Sequence, residues 1–328
     1  MNQRNCITFA TTELATLLIF GLANQGETFF YMMVRKYTNN AITLSQQIQV
    51  LSDRGLIIDI DNPEYYLERI NYFRFSRYLS SFRLGNDKHY APNTKFSDVI
   101  TLYNFDIDLR HFISKLIQTI EISFRSKMIN SLSTLSPHWF MEKNLATKDD
   151  VFEKNLVSLK KEVMRSGEKF INSYFDSYDY PTLPPAWKTL EVLSFGQISK
   201  LYANFIDCED KKAIAYYFNL PNHKVLSSWM RVITVLRNYC AHHSRVWNRT
   251  YSDIPNIPKK LRGNWINKPV EYNRKLYMAL CCVRYMTNTI YPDNKITEEL
   301  INLFNKYPTV KSKVMGFPKD WQEEPLWK

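Results

Sequence analysis

Residues 96–132 read FSDVITLYNFDIDLRHFISKLIQTIEISFRSKMINSL, and their periodicity decides the fold class. Phe105, Leu109, Phe112, Leu116, Ile120 and Phe124 recur at steps of three and four, which aligns them on one buried face of an amphipathic helix. The predicted helix runs from Phe96 to about Leu132, the longest periodic stretch of the first half. Its flanking polar face carries Arg110, Gln118, Glu121 and Arg125. Glu121 and Arg125 lie four apart and can pair within the helix; in the other reading, this acid and base line a polar groove together with a second helix further along.

Working outward, the chain from Thr43 onward reads as a succession of helices. Thr43 opens an amphipathic stretch with Leu44, Ile48 and Leu51, and Gly55 after Arg54 is the C′ residue that stops it. Leu56-Ile57-Ile58 is a short strand or an extended connector. Asp61 or Asn62 caps a second helix with Pro63 in its first turn, expected to run through Tyr65, Tyr66, Leu67, Ile70 and Tyr72 to Tyr78. The mix Tyr72-Phe73-Arg74-Phe75-Ser76-Arg77-Tyr78 has the composition of a base-stacking surface, although aromatics at helical spacing more often belong to a core. Residues 85–94 read as a loop. A helix is expected at about Asp150–Arg165 with a break at Ser166-Gly167, another from Trp187 to Tyr202 after Pro181, Pro184 and Pro185, a short one at Asp210–Phe218, and the next from Pro221-Asn222. The fold class is all-α.

Composition bounds the function. The chain has 328 residues, enough for one large domain or about two smaller ones. Hydrophobic residues make up 45% and charged ones 23%, as in an ordinary folded protein, while 43 Lys and Arg against 32 Asp and Glu leave a net charge of +11. That excess favours a polyanionic partner such as nucleic acid. The five cysteines, at positions 6, 208, 240, 281 and 282, form no CxxC pair and no even framework, which points to a reduced, cytoplasmic setting. Cys240, His242 and His243 crowd three would-be ligands into four residues, unlike structural zinc spacing, so no metal and no cofactor is expected. The apolar run Ala15–Ala23 has the outline of a weak signal peptide, but Glu13 stands at its edge and it is far too short to span a bilayer. Residues 1–32 read as an upstream extension ahead of a start at Met32 or Met33.

The chemistry concentrates in Arg237-Asn238-Tyr239-Cys240-Ala241-His242-His243-Ser244-Arg245-Val246-Trp247-Asn248-Arg249. Read as a helix, it places Trp229, Val232, Leu236 and Cys240 on an apolar stripe, with Arg231, Thr234, Asn238, His242, Arg245 and Arg249 on another face. Asn238 and His242 are one turn apart, and Arg237 lies beside them, so the three can converge on one phosphate. His243 is rotated by about 100° from His242 and faces elsewhere unless the helix ends between them. A histidine that moves a proton near neutral pH beside a permanently charged guanidinium is what metal-free RNA cleavage through the 2′-hydroxyl needs. The bland alternative is a buried polar network that bridges helices.

Arg237-Asn238-x-x-x-His242 resembles the Arg-(4 to 6 residues)-His signature of the HEPN superfamily of helical RNA-cleaving domains. The wider pattern resembles the Abi-like family of bacterial abortive-infection proteins, of the AbiD and AbiF kind. The blocks are Leu51–Ile58, Ile70-Asn71-Tyr72-Phe73-Arg74-Phe75, Leu102–Asp106 with Leu109-Arg110, Ile120-Glu121-Ile122-x-x-Arg125, the motif itself, and the tail Met315–Trp321. The resemblance covers roughly Lys36 to the C-terminus and implies an Abi-like helical domain over residues 33–328 with a HEPN core at about 96–295. It implies a metal-independent endoribonuclease of phage defence, acting as a homodimer whose two motifs form one cleft. Arg237, Asn238 and His242 or His243 would be catalytic, with His242 favoured by its spacing from Asn238. Glu121 would support them, and Arg245, Arg249, Arg231 and Arg125 would contact the RNA backbone. The partners it implies are RNA, a second copy, and an antitoxin RNA or protein as restraint, with no membrane. A non-cleaving module that sequesters a regulatory RNA is the alternative function.

Overall fold

Residues Phe96–Leu132 form one continuous helix, α4 in chain order, and Phe105, Leu109, Phe112, Leu116, Ile120 and Phe124 are all buried, as their spacing predicts. The computed structural model describes residues 40–85, 87–268 and 273–328, with Tyr37 and the strand segments Cys6–Ile7, Ala15–Thr16 and Val34–Arg35. Apart from Cys6, Ile7, Ala15 and Thr16, the expected extension at residues 1–32 lies outside the described residues. The protein is all-α, with 63% of the described residues helical. No helix among the described residues is long and apolar enough to cross a membrane.

The chain divides into two compact units, residues 1–104 and 105–328. In the first, α1 (Leu44–Asp53), α2 (Pro63–Ile70), α3 (Tyr72–Leu79) and the start of α4 enclose a core that includes Leu51, Leu67, Phe75 and Phe96. Thr43 and Gln46 cap α1 reciprocally, a capping box. Gly55 ends it at φ +88, with its N–H on Ser52 O at 2.8 Å and the Leu56 N–H on Leu51 O at 3.1 Å; this is a Schellman motif. Leu56–Ile58 is a connector with one parallel bridge, Ile57 to Lys95. The single helix expected from Pro63 to Tyr78 is two. Asn71, at φ +72, ends α2, and its side chain then accepts from the Phe73 N–H at 2.8 Å to cap α3. Tyr72, Phe75 and Tyr78 are core, stacking Phe75 on Phe96 at 4.6 Å, and Phe73 is exposed.

The second unit holds the rest of α4, α5 (Asp149–Arg165), α6 (Lys169–Ser177), α7 (Ala186–Val192), α8 (Phe195–Asn204), α9 (Glu209–Tyr217), α10 (His223–Ala241), α11 (Leu276–Ile290) and α12 (Ile296–Lys306). Every residue of α11 from Leu276 to Thr287 is buried, the mark of a helix surrounded on all sides. α10 packs against α8, α9 and α11. Phe124 of α4 meets the rings of Phe195, Tyr202 and Phe218. The tail block is structural: Phe317 and Trp321 pack with Phe304, and Trp327 stacks on Tyr277. The helix expected over 187–202 is broken at Leu193-Ser194, because Ser194 and Gln197 form a capping box that starts α8 afresh.

Candidate functional site

α10 carries the motif, and its start is set by Asn222, whose side chain accepts from the Val225 N–H at 3.0 Å. Trp229, Val232, Leu236 and Cys240 are buried on one stripe, as expected. Trp229 stacks on Trp265 at 5.4 Å and donates Nε1–H to Asn256 O at 2.8 Å. Burial pushes the Cys240 thiol up to about 12, against opposing contributions from Ser114 and Arg110, so it stays a protonated packing group.

The helix stops before the histidines. His242 is the C-cap, and His243 follows at φ +52. The His243 N–H reaches Cys240 O at 3.1 Å and the Ser244 N–H reaches Tyr239 O at 2.8 Å, a complete Schellman motif with histidine where glycine is usual. Both imidazoles are exposed on this turn. The 100° separation that an unbroken helix would impose between them therefore does not apply.

The chain beyond is held by a residue that the motif does not contain. Asp106 of α4, fully buried, pairs with Arg110 and accepts from the Trp247 N–H at 2.7 Å and the Val246 N–H at 3.1 Å. A carboxylate that takes two amides and a guanidinium fixes where the turn goes. Asp106 lay in plain view inside the block Leu102–Asp106, and its four-residue spacing to Arg110 was the available signal.

Glu121 links α4 to α10. One carboxylate oxygen lies 3.2 Å from Arg125 Nη2 and the other 3.5 Å from Arg237 Nε. Glu121 and Arg125 are 14% and 15% exposed in their side chains, whereas Arg237 is 37% exposed. Arg125 also donates to Leu193 O at 3.3 Å and lies 3.7 Å from Glu191. The break between α7 and α8 is what frees that carbonyl. Glu121 and Arg125 thus pair within α4, and the acid also reaches the motif helix through Arg237. The effect is to orient the Arg237 guanidinium through its Nε edge while part of it faces solvent.

The structure brings Arg237, Asn238, His242 and His243 to the last turn and end of α10, with Asn238 exposed. It does not bring the remaining arginines onto one helical face. Arg245 and Arg249 follow the end of α10 in irregular chain, both half-buried. Arg249 stacks 3.7 Å over the Tyr239 ring and donates to Arg245 O at 3.1 Å. Arg231 is exposed on α10 and paired with Asp253 at 2.9 Å. Arg125 is a clamp on Glu121, too enclosed for a surface phosphate contact. Among the described residues no three His, Cys, Asp or Glu side chains group so as to hold a metal ion.

The site is thus the end of one helix of an all-α protein, where an arginine paired with a largely enclosed acid precedes two exposed histidines. The chain belongs to the Abi-like family: the model of that family, described as Abi-like protein, matches residues 65–248, a span that holds Glu121, Arg125 and the motif through Asn248. That membership links the chain to abortive infection. The Leu51–Ile58 and Met315–Trp321 blocks lie outside the matched span. No curated protein and no solved structure matches the chain.

Proposed function

We propose that this Abi-like protein is a metal-independent endoribonuclease, and that Arg237, Asn238, His242 and His243 are its reacting centre. The observation that carries this reading is the ion pair of Glu121 with Arg237, which holds a guanidinium at the same helix end where two imidazoles are exposed. One histidine takes the proton from the ribose 2′-hydroxyl as its oxygen attacks phosphorus. The bond from phosphorus to the 5′-oxygen breaks, and a second histidine returns a proton to that leaving oxygen. Arg237 stabilises the charge on the phosphorane-like transition state, and Asn238 orients a phosphate oxygen or the base. The products are a 2′,3′-cyclic phosphate and a 5′-hydroxyl, and DNA is spared because it lacks the attacking group. The second histidine comes from a second copy in a two-fold dimer, or from the neighbouring position on the same turn.

The test is incubation of bacterial RNA with the protein in EDTA, followed by mapping of the new 3′ ends. Wild type is expected to cut and leave cyclic phosphates. His242→Ala is expected to lose roughly 10²- to 10⁴-fold in rate, the ordinary worth of a general base, and Arg237→Ala a similar amount. Cleavage that survives in a His242→Ala, His243→Ala double variant overturns the assignment. Wild type that binds RNA and never cuts it makes the protein a binding module. Wild type mixed with His242→Ala recovers less activity than the sum of its parts only if each cleft draws on two copies.

A further inference from the structure

A groove of about 980 Å³ runs along the other exposed flank of α10 and opens at the motif. His223, Ser227, Arg231, Thr234 and Asn238 line it, and their spacing of four, four, three and four puts them on one stripe of the helix. From His223 to Asn238 that stripe rises on the order of 22 Å. The facing wall comes from α8, through Ser199 and Lys200. The third wall is the 253–256 segment, which is pinned: the Asn256 N–H donates to Ser228 Oγ at 2.8 Å, Trp229 holds Asn256 O, and Asp253 pairs with Arg231. The groove is thus a fixed channel that ends one residue from Arg237.

We propose that this groove binds the sugar-phosphate backbone of a single-stranded RNA segment and leads it into the Arg237–His242 site. The proposal rests on the ribonuclease reading for what lies at the end of the channel. Its own support is the charge on the walls. Lys200 and Lys224 are exposed and make no ion pair among the described residues, whereas Lys211 is buried with its ammonium on Phe205 O, and Asp207 pairs with Lys212 at 3.8 Å, with His223 Nδ1 3.4 Å away. The cations left to meet a ligand are therefore Lys200 and Lys224, with Arg231 partly neutralised. No Phe, Tyr or Trp lines the groove among the described residues, and the one ring there, the His223 imidazole, is largely enclosed, its side chain 12% exposed. Bases have no open ring to stack on there, so recognition falls to phosphates on lysines and to ribose oxygens, including the 2′-oxygen, that accept from Ser199, Ser227 and Asn256. Such binding tolerates sequence and weakens steeply with salt.

The experiment is fluorescence anisotropy of a labelled 2′-O-methyl oligoribonucleotide, which cannot be cut, with the full chain over a salt series. Lys200→Gln with Lys224→Gln is expected to weaken binding at least tenfold and to make the slope of log affinity against log salt shallower by roughly 1.4, the loss of two single-strand phosphate contacts. Lys160→Gln with Lys161→Gln, an equal charge change on the exposed face of α5, is expected to leave both unchanged. Equal losses in the two double variants, unchanged binding in the first, or wild type that does not bind the oligonucleotide at all would each overturn the groove. Groove-dependent binding by a wild type that never cleaves RNA would uphold the channel and remove the ribonuclease reading instead.

Discussion

Among the described residues, three α-helices end on a left-handed C′ residue, and His243 is the one of the three that is neither glycine nor asparagine. Gly55 holds that place after α1 and Asn219, at φ +56, holds it after α9, each with the same pair of backbone hydrogen bonds. A left-handed conformation costs most residues roughly 1–2 kcal/mol, and glycine's extra chain entropy offsets part of the relief on substitution. His243→Gly is therefore expected to leave the urea midpoint unchanged or to raise it by up to about 1 kcal/mol of stability, while His243→Ala, which keeps the strain and loses the ring, lowers it. A glycine variant that is stable and inactive on RNA would tie the loss to the imidazole. One that is clearly destabilised would show that the ring's own interactions outweigh the strain. Asp106 sets a larger stake. Asp106→Ala leaves Arg110 buried without its partner and strips two amides of their acceptor, and a loss of roughly 3–5 kcal/mol is expected in urea melts; Asp106→Asn keeps an acceptor and should lose less. A loss under about 1 kcal/mol in the alanine variant would mean that Arg110 turns out to solvent.

At the scale of elements, what was legible in the sequence is what periodicity encodes. α4 and the buried stripe of α10 follow from spacing alone, because a residue's face on a helix depends only on its number. Three helix ends were not legible that way. The apolar period runs through Asn71 and through Leu193-Ser194 without a skip, so only cap chemistry marks those breaks, and the end of α10 is marked by a histidine where the usual stop signal is Gly. The links that make the site were legible only in part: the resemblance places Glu121 in support of the motif, but its contact with Arg237, like that of Asp106 with Val246 and Trp247, joins residues far apart in the chain, and packing decides such pairs. The Ser194 break is also where element and site meet, since the α8 cap leaves Leu193 O to receive Arg125. Ser194→Ala is expected to cost about 1 kcal/mol in thermal or urea unfolding, the usual worth of an N-cap. It should also reduce RNA cleavage more than a surface cap change would, because the clamp on Glu121 loosens. A Ser194→Ala protein with full stability would show that the α7–α8 break is held by burial of Phe195 and Ile198 alone.

The whole molecule carries a net charge of +11, and its stability should respond to acid through two of its enclosed histidines before its carboxylates take part. Burial lowers the pKa of His138, against weaker opposing effects of Leu183 and Glu142. Burial also lowers His223, helped by Lys211 and opposed by Asp207. Both lie in the second unit. A histidine depressed in the folded state holds fewer protons there than in the unfolded chain, so stability rises with pH across the interval between the two values and is lost as pH falls through the ordinary 6.5. Each such group contributes a slope of up to about 1.4 kcal/mol per pH unit inside that interval. Asp108 works in the opposite range. Its pKa is lowered despite burial because Lys306 and Tyr307 bind the carboxylate, and its contribution is present above 3.8 and is lost below it. The melting temperature is thus expected to fall between pH 7.5 and 5.5, to fall more slowly after that, and to drop again below about pH 4. His138→Gln combined with His223→Gln should flatten the first fall and leave the second. A melting temperature that does not change from pH 7.5 to 5.5 in wild type would mean that neither histidine is enclosed as the structure has it.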